Sequence, residues 1–327
     1  MSRAERPEIL VTDELLKATR ALAQMAKAED LGTGDVTSML LEPQGDARFE
    51  LLLKQPAVLA GRAIAGEILE VYDETITIEW EDEAVDGAFL DRSQRAAGSS
   101  PRGVPQQQVR LAILTGPNRS ILATERVLLN FLQRLCGVAT LTRTYADAVA
   151  GTDAKVYDTR KTTPGWRLLE KYAVRCGGGF NHRMGLYDAV LIKDNHLADV
   201  EPQRLSFAVF EMLNRVASGK TSSPTRGDAT PGPQFIMVEA DMPEQAEELF
   251  KVIGIDVVML DNFSLDDLRW AVERRNELGL AGKIELEASG GITLETIGEI
   301  ACTGVDRISV GALTHSATAV DLSLARV

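Results

Sequence analysis

The sequence predicts an α/β protein: an α+β first third, then a strand–helix repeat that winds into a parallel barrel of fewer than eight strands. Three observations carry this. The first third orders its elements as helix, strand, helix, strand, strand, without the sustained alternation of a βα repeat. From residue 155 onward, short apolar strands at 155–158, 189–193, 235–239, 257–261, 284–289 and 308–311 alternate with helix-patterned segments. Each strand also ends in a residue able to do chemistry: Asp158 with Arg160 and Lys161, then Lys193, Glu239, Asp261, Ser289 and Gly311. A βα barrel gathers such ends on one face. An open doubly wound sheet is the competing fold, with its crevice also at the strand ends. An eight-stranded barrel takes about 250 residues, more than this repeat contains.

The elements follow in order. Residues 8–28 read as a helix with an apolar stripe of Leu15, Leu16, Leu22 and Met25, capped by Thr12 with Asp13 and Glu14 in the first turn. EDLGTGDVTS at 29–38 is a polar loop. Strands are expected at 49–53 and at 75–80, the latter alternating as TITIEW, with a helix at 61–71 between them. Residues 91–108 (DRSQRAAGSSPRGVPQQQ) lack periodicity and read as a loop excursion. After a strand at 111–116, a helix covers 120–150. Its apolar face is wide enough to suggest burial against more than one neighbour, and Gly151 ends it. In the repeat, helices are expected at 242–253, 265–278 and 294–302. A second excursion at 218–234 interrupts the repeat without ending it.

The 327 residues carry 45% hydrophobic and 25% charged side chains, an ordinary globular composition. A net charge of −13 argues against nucleic acid and anionic membrane as partners. Cys136, Cys176 and Cys302 lie far apart with no CxxC, as in a reducing, cytoplasmic compartment. No run approaches a membrane span, and the N-terminus has no apolar signal core.

Against that acidity stands one cationic stretch. From Arg160 to His196 there are seven Lys/Arg and three Asp/Glu, and two of the three histidines, His182 and His196, lie there. A solvated helix face accounts for Arg167, Glu170, Lys171 and Arg175, spaced i, i+3, i+4 and i+8. It does not account for Arg160, Lys161, His182, Arg183 or Lys193, which point to a site for an anion. The last two units read as a phosphate grip. One strand runs into Gly290-Gly291, and the other, ending at Gly311, runs into Thr314, His315 and Ser316. Glu239 and Asp261, on strands about 4.8 Å apart, can share a Mg²⁺ or a pair of sugar hydroxyls. Each can equally cap a helix or pair with a lysine.

The segments EDLGTGDVTS (29–38), ERVLLNFLQRLCGVATLT (125–142), DTRKTTPG (158–165), KYAVRCGGGFNHRMGLYDAVLIKDNH (171–196), VEAD (238–241), VMLDN (258–262), EASGGI (287–292) and ISVGALTHSA (308–317) together resemble the quinolinate phosphoribosyltransferases, also called carboxylating nicotinate-nucleotide pyrophosphorylases. The resemblance implies an N-terminal open-faced sandwich (1–122), an incomplete barrel (123–313) and a C-terminal segment (314–327) packing back on the first domain. It implies transfer of phosphoribose from 5-phosphoribosyl 1-pyrophosphate to quinolinate, yielding nicotinate mononucleotide, pyrophosphate and CO₂, with Mg²⁺ as cofactor. It also implies a homodimer with shared active sites, or a higher homo-oligomer. On that pattern Arg126 comes from a neighbouring subunit, and Arg160, Lys161, His182, Arg183 and Lys193 bind substrate. Glu239 and Asp261 form the acidic, metal-binding pair, Lys161 and Lys193 join them in catalysis, and Ser289, Gly290, Gly311 and His315 contact phosphate. The two excursions depart from the pattern. A nicotinate-using enzyme of the same fold and a non-catalytic phosphate-binding barrel are the alternatives.

Overall fold

The computed structural model describes residues 6–40, 45–91, 108–198, 200–217 and 233–327. Most of the two excursions, 92–107 and 218–232, therefore lies outside the described residues. In chain order the elements are α1 (Asp13–Leu31), β1 (Asp46–Leu53), β2 (Ala57–Val58), α2 (Arg62–Tyr72), β3 (Thr77–Trp80), β4 (Phe89–Leu90), β5 (Val109–Pro117), α3 (Asn118–Ala148), β6 (Lys155–Tyr157), α4 (Arg167–Gly177), β7 (Val190–Ile192), α5 (Asp194–Leu197), α6 (Leu205–Ala217), β8 (Ile236–Ala240), α7 (Pro243–Leu249), β9 (Val257–Asp261), α8 (Leu265–Glu277), β10 (Glu285–Ser289), α9 (Ile297–Ala301), β11 (Arg307–Ser309), α10 (Ala312–His315) and β12 (Leu322–Arg326). Among the described residues no helix is long and apolar enough to cross a membrane.

The chain forms two compact units. One holds Glu5–Thr144, Lys161–Phe180 and Ala312–Val327; the other holds Tyr145–Arg160 and Asn181–Gly311. The expected boundary at 122/123 falls inside α3, and the units divide later along that helix and again between Arg160 and Lys161.

The first unit is built on an antiparallel sheet ordered β12-β1-β5-β3. The C-terminal strand β12 pairs with β1, Leu51 opposite Leu324. Leu51, Leu111, Leu114, Ile64 and Ile68 are fully buried, each such side chain contributing about 1.5–3 kcal/mol by leaving water. Thr12 caps α1 by accepting from Leu15 N–H. The buried stripe of α1 is Leu15, Thr19 and Ala23, while Met25 is exposed, so the expected stripe is only partly right: 15, 19 and 23 repeat at four-residue steps, which Met25 does not share. The wide face of α3 is already covered within the chain, with Ile121, Leu128, Leu132, Leu135 and Val138 fully buried. Gly137 is required there, because a Cβ would stand 2.1 Å from the Thr318 carbonyl oxygen.

The expected solvated face of α4 is a correction. Glu170 and Lys171 are buried, at 0% and 1% exposure. The reason is Arg134 of α3, whose Nη2 pairs with Glu170 at 2.7 Å, while Thr163 donates to the same carboxylate through its N–H (3.0 Å) and hydroxyl (2.8 Å). Helical charge spacing alone does not separate a wet face from an internal ion pair.

The second unit is a parallel sheet ordered β6-β11-β10-β9-β8-β7. Among the described residues it has six strands, fewer than eight, and its edges β6 and β7 do not pair. The register aligns Glu239, Met259, Glu287, Arg307 and Lys155 in one row across the sheet. Side chains alternate along a strand, so odd-numbered residues share one face. On β8 and β9 that face is apolar except at the strand-end Glu239 and Asp261: Met237, Val257 and Met259 cluster with Leu191 and Phe235 packed against them. On β10 and β11 it is charged. The even-numbered Val238, Val258, Leu260, Leu286 and Ile308 are fully buried on the other face.

Candidate active site

The strand-end residues of the six-stranded unit come together as the alternation dictates. At the end of β6, buried Asp158 accepts from His182 N–H at 2.8 Å and from Asn181 Nδ2 at 2.6 Å. This fixes the turn that carries His182 and Arg183. Both side chains are buried. His182 Nδ1 accepts from Arg183 N–H at 2.7 Å, so the ring hydrogen sits on Nε2, which lies 3.5 Å from Glu287 Oε1. Burial, and then the positive charge of Arg160, hold the Arg183 pKa below its ordinary value, and Asp188 only partly offsets this. Two guanidinium groups thus share a desolvated locality.

Lys193 directly follows β7, opposite Glu239 of β8, and its Nζ lies 2.6 Å from Glu239 Oε2. His196 braces this lysine, its Nδ1 accepting from Lys193 N–H at 2.8 Å. Glu239 is buried, and Asp261 ends β9 in register with Ser289. Carboxylate oxygens of Glu239, Asp241 and Asp261 all lie within 4.8 Å of one another. Three carboxylates this close repel. Burial, followed by the charges of Asp194 and Asp261, pushes the Asp241 pKa up, against the pull of Lys193. Such an oxygen donor set fits a hard divalent cation. Asp241 was missed in the sequence, although its position two residues beyond Glu239 places it on the same side of the strand.

After β10, Gly290 has φ 92°, and a Cβ there would meet Asn262 Oδ1 at 2.1 Å. Asn262, itself at φ 56°, donates its N–H to Ser289 O at 2.9 Å. The Ser289-Gly290 backbone therefore packs against the turn after Asp261. Gly311 closes this unit.

The remaining expected residues belong to the first unit. Arg126 is exposed on α3, and Lys161 is exposed just beyond Arg160. Thr314 Oγ1 donates to the Lys161 carbonyl at 2.7 Å, which ties Lys161 to the short helix α10 that carries exposed His315. Arg134 closes α10, donating to the carbonyls of Thr314 and, at 2.8 Å, of Ala317. Its role was not legible in the sequence, because its partners, the Glu170 carboxylate and the carbonyls of Thr314 and Ala317, are all distant in the chain.

Two family models cover the chain. The quinolinate phosphoribosyl transferase N-terminal domain matches residues 35–136, and the corresponding C-terminal domain matches 138–325. The chain belongs to the quinolinate phosphoribosyltransferase family. It is 37% identical over 298 residues to a probable carboxylating nicotinate-nucleotide pyrophosphorylase of Bacillus subtilis, covering 90% of this chain and 89% of that one. It is 36% identical to the carboxylating nicotinate-nucleotide pyrophosphorylase of Mycobacterium leprae, covering 96% and 99%. The solved nicotinate-nucleotide pyrophosphorylase of Francisella tularensis superposes with a TM-score of 0.77 at 35% identity, over 99% of this chain and 100% of that one.

Proposed function

We propose that this site transfers the 5-phosphoribosyl group from 5-phosphoribosyl 1-pyrophosphate to quinolinate with loss of CO₂, giving nicotinate mononucleotide and pyrophosphate for NAD synthesis. The observation that carries the reading is buried Arg183, held within repelling reach of Arg160, in the same unit as the ion pair of half-exposed Lys193 with buried Glu239. A planar carboxylate accepts two parallel bonds from a guanidinium, so Arg160 and Arg183 bind the acid. Lys161 and Lys193 act as point charges on pyrophosphate. His182 shapes the acid-binding wall, and Ser289, Gly290, Gly311 and His315 receive the ribose 5-phosphate.

As pyrophosphate leaves, positive charge develops on the ribose ring, and Glu239 and Asp261 stabilise it. Lys193, released from Glu239, follows the leaving group. The pyridinium so formed stabilises the electron pair left on the ring carbon when its carboxylate departs as CO₂; that carbon then takes a proton from water, and no protein nucleophile is needed. Glu239, Asp241 and Asp261 would hold Mg²⁺, which when bound neutralises phosphate charge.

Exposed Arg126 on α3 supports a homodimer in which it completes the site of a second copy. The free thiols, buried Cys136 and Cys176 and exposed Cys302, support a cytoplasmic setting. Turnover separates this reading from its relative: quinolinate should be consumed and nicotinate refused. Equal use of nicotinate would refute the acid assignment.

A further inference from the structure

We infer that Glu287, in the floor of the parallel unit, is the positioning residue that fixes His182 for the quinolinate-binding wall. The inference rests on the site reading above. Glu287 is fully buried in the middle of β10, one layer beneath the strand ends. Its two oxygens face two different groups. Oε2 accepts from Arg307 Nε at 2.8 Å, and Oε1 faces His182 Nε2 at 3.5 Å. Arg307 is held in turn by Glu285 (Nη1 to Oε2, 3.2 Å) and lies over the Tyr157 ring at 4.0 Å. The imidazole packs edge-on against Phe235, with centroids 5.5 Å apart.

His182 is thus held on three sides: Nδ1 by the Arg183 N–H, the ring by its T-shaped packing on Phe235, and Nε2 by the buried Glu287 carboxylate 3.5 Å away, an electrostatic contact longer than a formed hydrogen bond. Neither Arg307 nor the histidine can lend its position to the other. The carboxylate is the group common to both, and the β10–β11 register sets Glu287 directly opposite Arg307. An amide in its place has a single acceptor. If that oxygen turns to Arg307, the NH₂ faces the Nε2–H of His182, donor against donor. Glu287→Gln therefore keeps the size of the side chain and disturbs His182 alone.

The experiment is a double-mutant cycle on the full-length protein with His182→Asn, Glu287→Gln and the double variant. Quinolinate and 5-phosphoribosyl 1-pyrophosphate are titrated separately onto each. His182→Asn should weaken quinolinate by about tenfold or more. Glu287→Gln should weaken it by about fivefold or more, with phosphoribosyl pyrophosphate unchanged. The double variant should be no weaker than His182→Asn. In ¹⁵N spectra the His182 imidazole, one of three in the chain and assigned by its loss in His182→Asn, should change in Glu287→Gln while the other two hold. Multiplying losses in the double variant, or an unchanged His182 signal, would overturn the inference. If Glu287→Gln does not fold, Glu287→Asp runs the same cycle, since it keeps an anion for Arg307 and withdraws it by one methylene; full quinolinate affinity there would likewise overturn it. If His182→Asn itself binds quinolinate normally, the site reading fails first.

Discussion

Replacing Arg183 by alanine separates binding from stability. The side chain is 9% exposed, and its only short protein contact among the described residues is a weak one, Nη1 to the Ala189 carbonyl at 3.4 Å. Burial and the charge of Arg160 both disfavour the cation. Arg183 therefore contributes little to the free fold, and its removal relieves a repulsion. Bound quinolinate reverses the balance: two charge-assisted hydrogen bonds form, each worth about 1.5–3 kcal/mol. Truncating one partner of a buried charge pair costs about 2–5 kcal/mol, which is roughly thirtyfold or more in affinity. Calorimetric titration should show quinolinate weakened by that factor, phosphoribosyl pyrophosphate nearly unchanged, and the melting temperature of the free protein equal to the parent or higher. Parental quinolinate affinity would refute the assignment. A large fall in melting temperature with affinity intact would make Arg183 structural.

Mixing Arg126→Ala subunits with Lys193→Ala subunits should restore turnover through one intact site per hybrid dimer; verified hybrids without activity would exclude shared sites. Gly290→Ala should strain a backbone at φ 92° against Asn262, costing about 1–3 kcal/mol and raising the KM for phosphoribosyl pyrophosphate more than that for quinolinate, as initial rates would show. Glu287 gives a pH signature. Burial pushes its pKa up, but His182, and then Arg307 and Ser309, outweigh burial and hold it below its ordinary value of 4.5. Its contribution to stability is therefore present above that value and is lost as pH falls through the lower folded value. Urea unfolding across the acid range should show a steep loss in the parent and a flatter acid arm in Glu287→Gln; parallel curves would refute it.

The strand ends were legible because alternation and strand register are local properties of sequence. Lys193, Glu239, Asp261 and Ser289 each close an apolar run, and a parallel sheet brings such ends together. Asp241 lay within reach of the same logic, two residues after Glu239 and just past the end of β8. Other features depend on distant partners. Glu170 and Lys171 have the spacing of a wet helix face, yet Arg134, 36 residues earlier, draws Glu170 inside. Strand β12 has no pattern of its own until β1 offers it an edge. Glu287 reads as one more polar residue beside Ser289 until the register sets it opposite Arg307 and beneath His182. Lys161 and His315 each follow a strand end in the sequence, but the Thr314–Lys161 bond that ties their segments together cannot be read from either segment alone.

The central claim is that one site both forms the glycosidic bond and releases the adjacent carboxylate. Quinolinate labelled in its 2-carboxyl group, supplied with 5-phosphoribosyl 1-pyrophosphate, tests it in one vessel by counting CO₂ and pyrophosphate together. The account predicts equal amounts of both at every time point, and neither product when either substrate is omitted. Pyrophosphate without CO₂, or CO₂ without phosphoribosyl pyrophosphate, would contradict it.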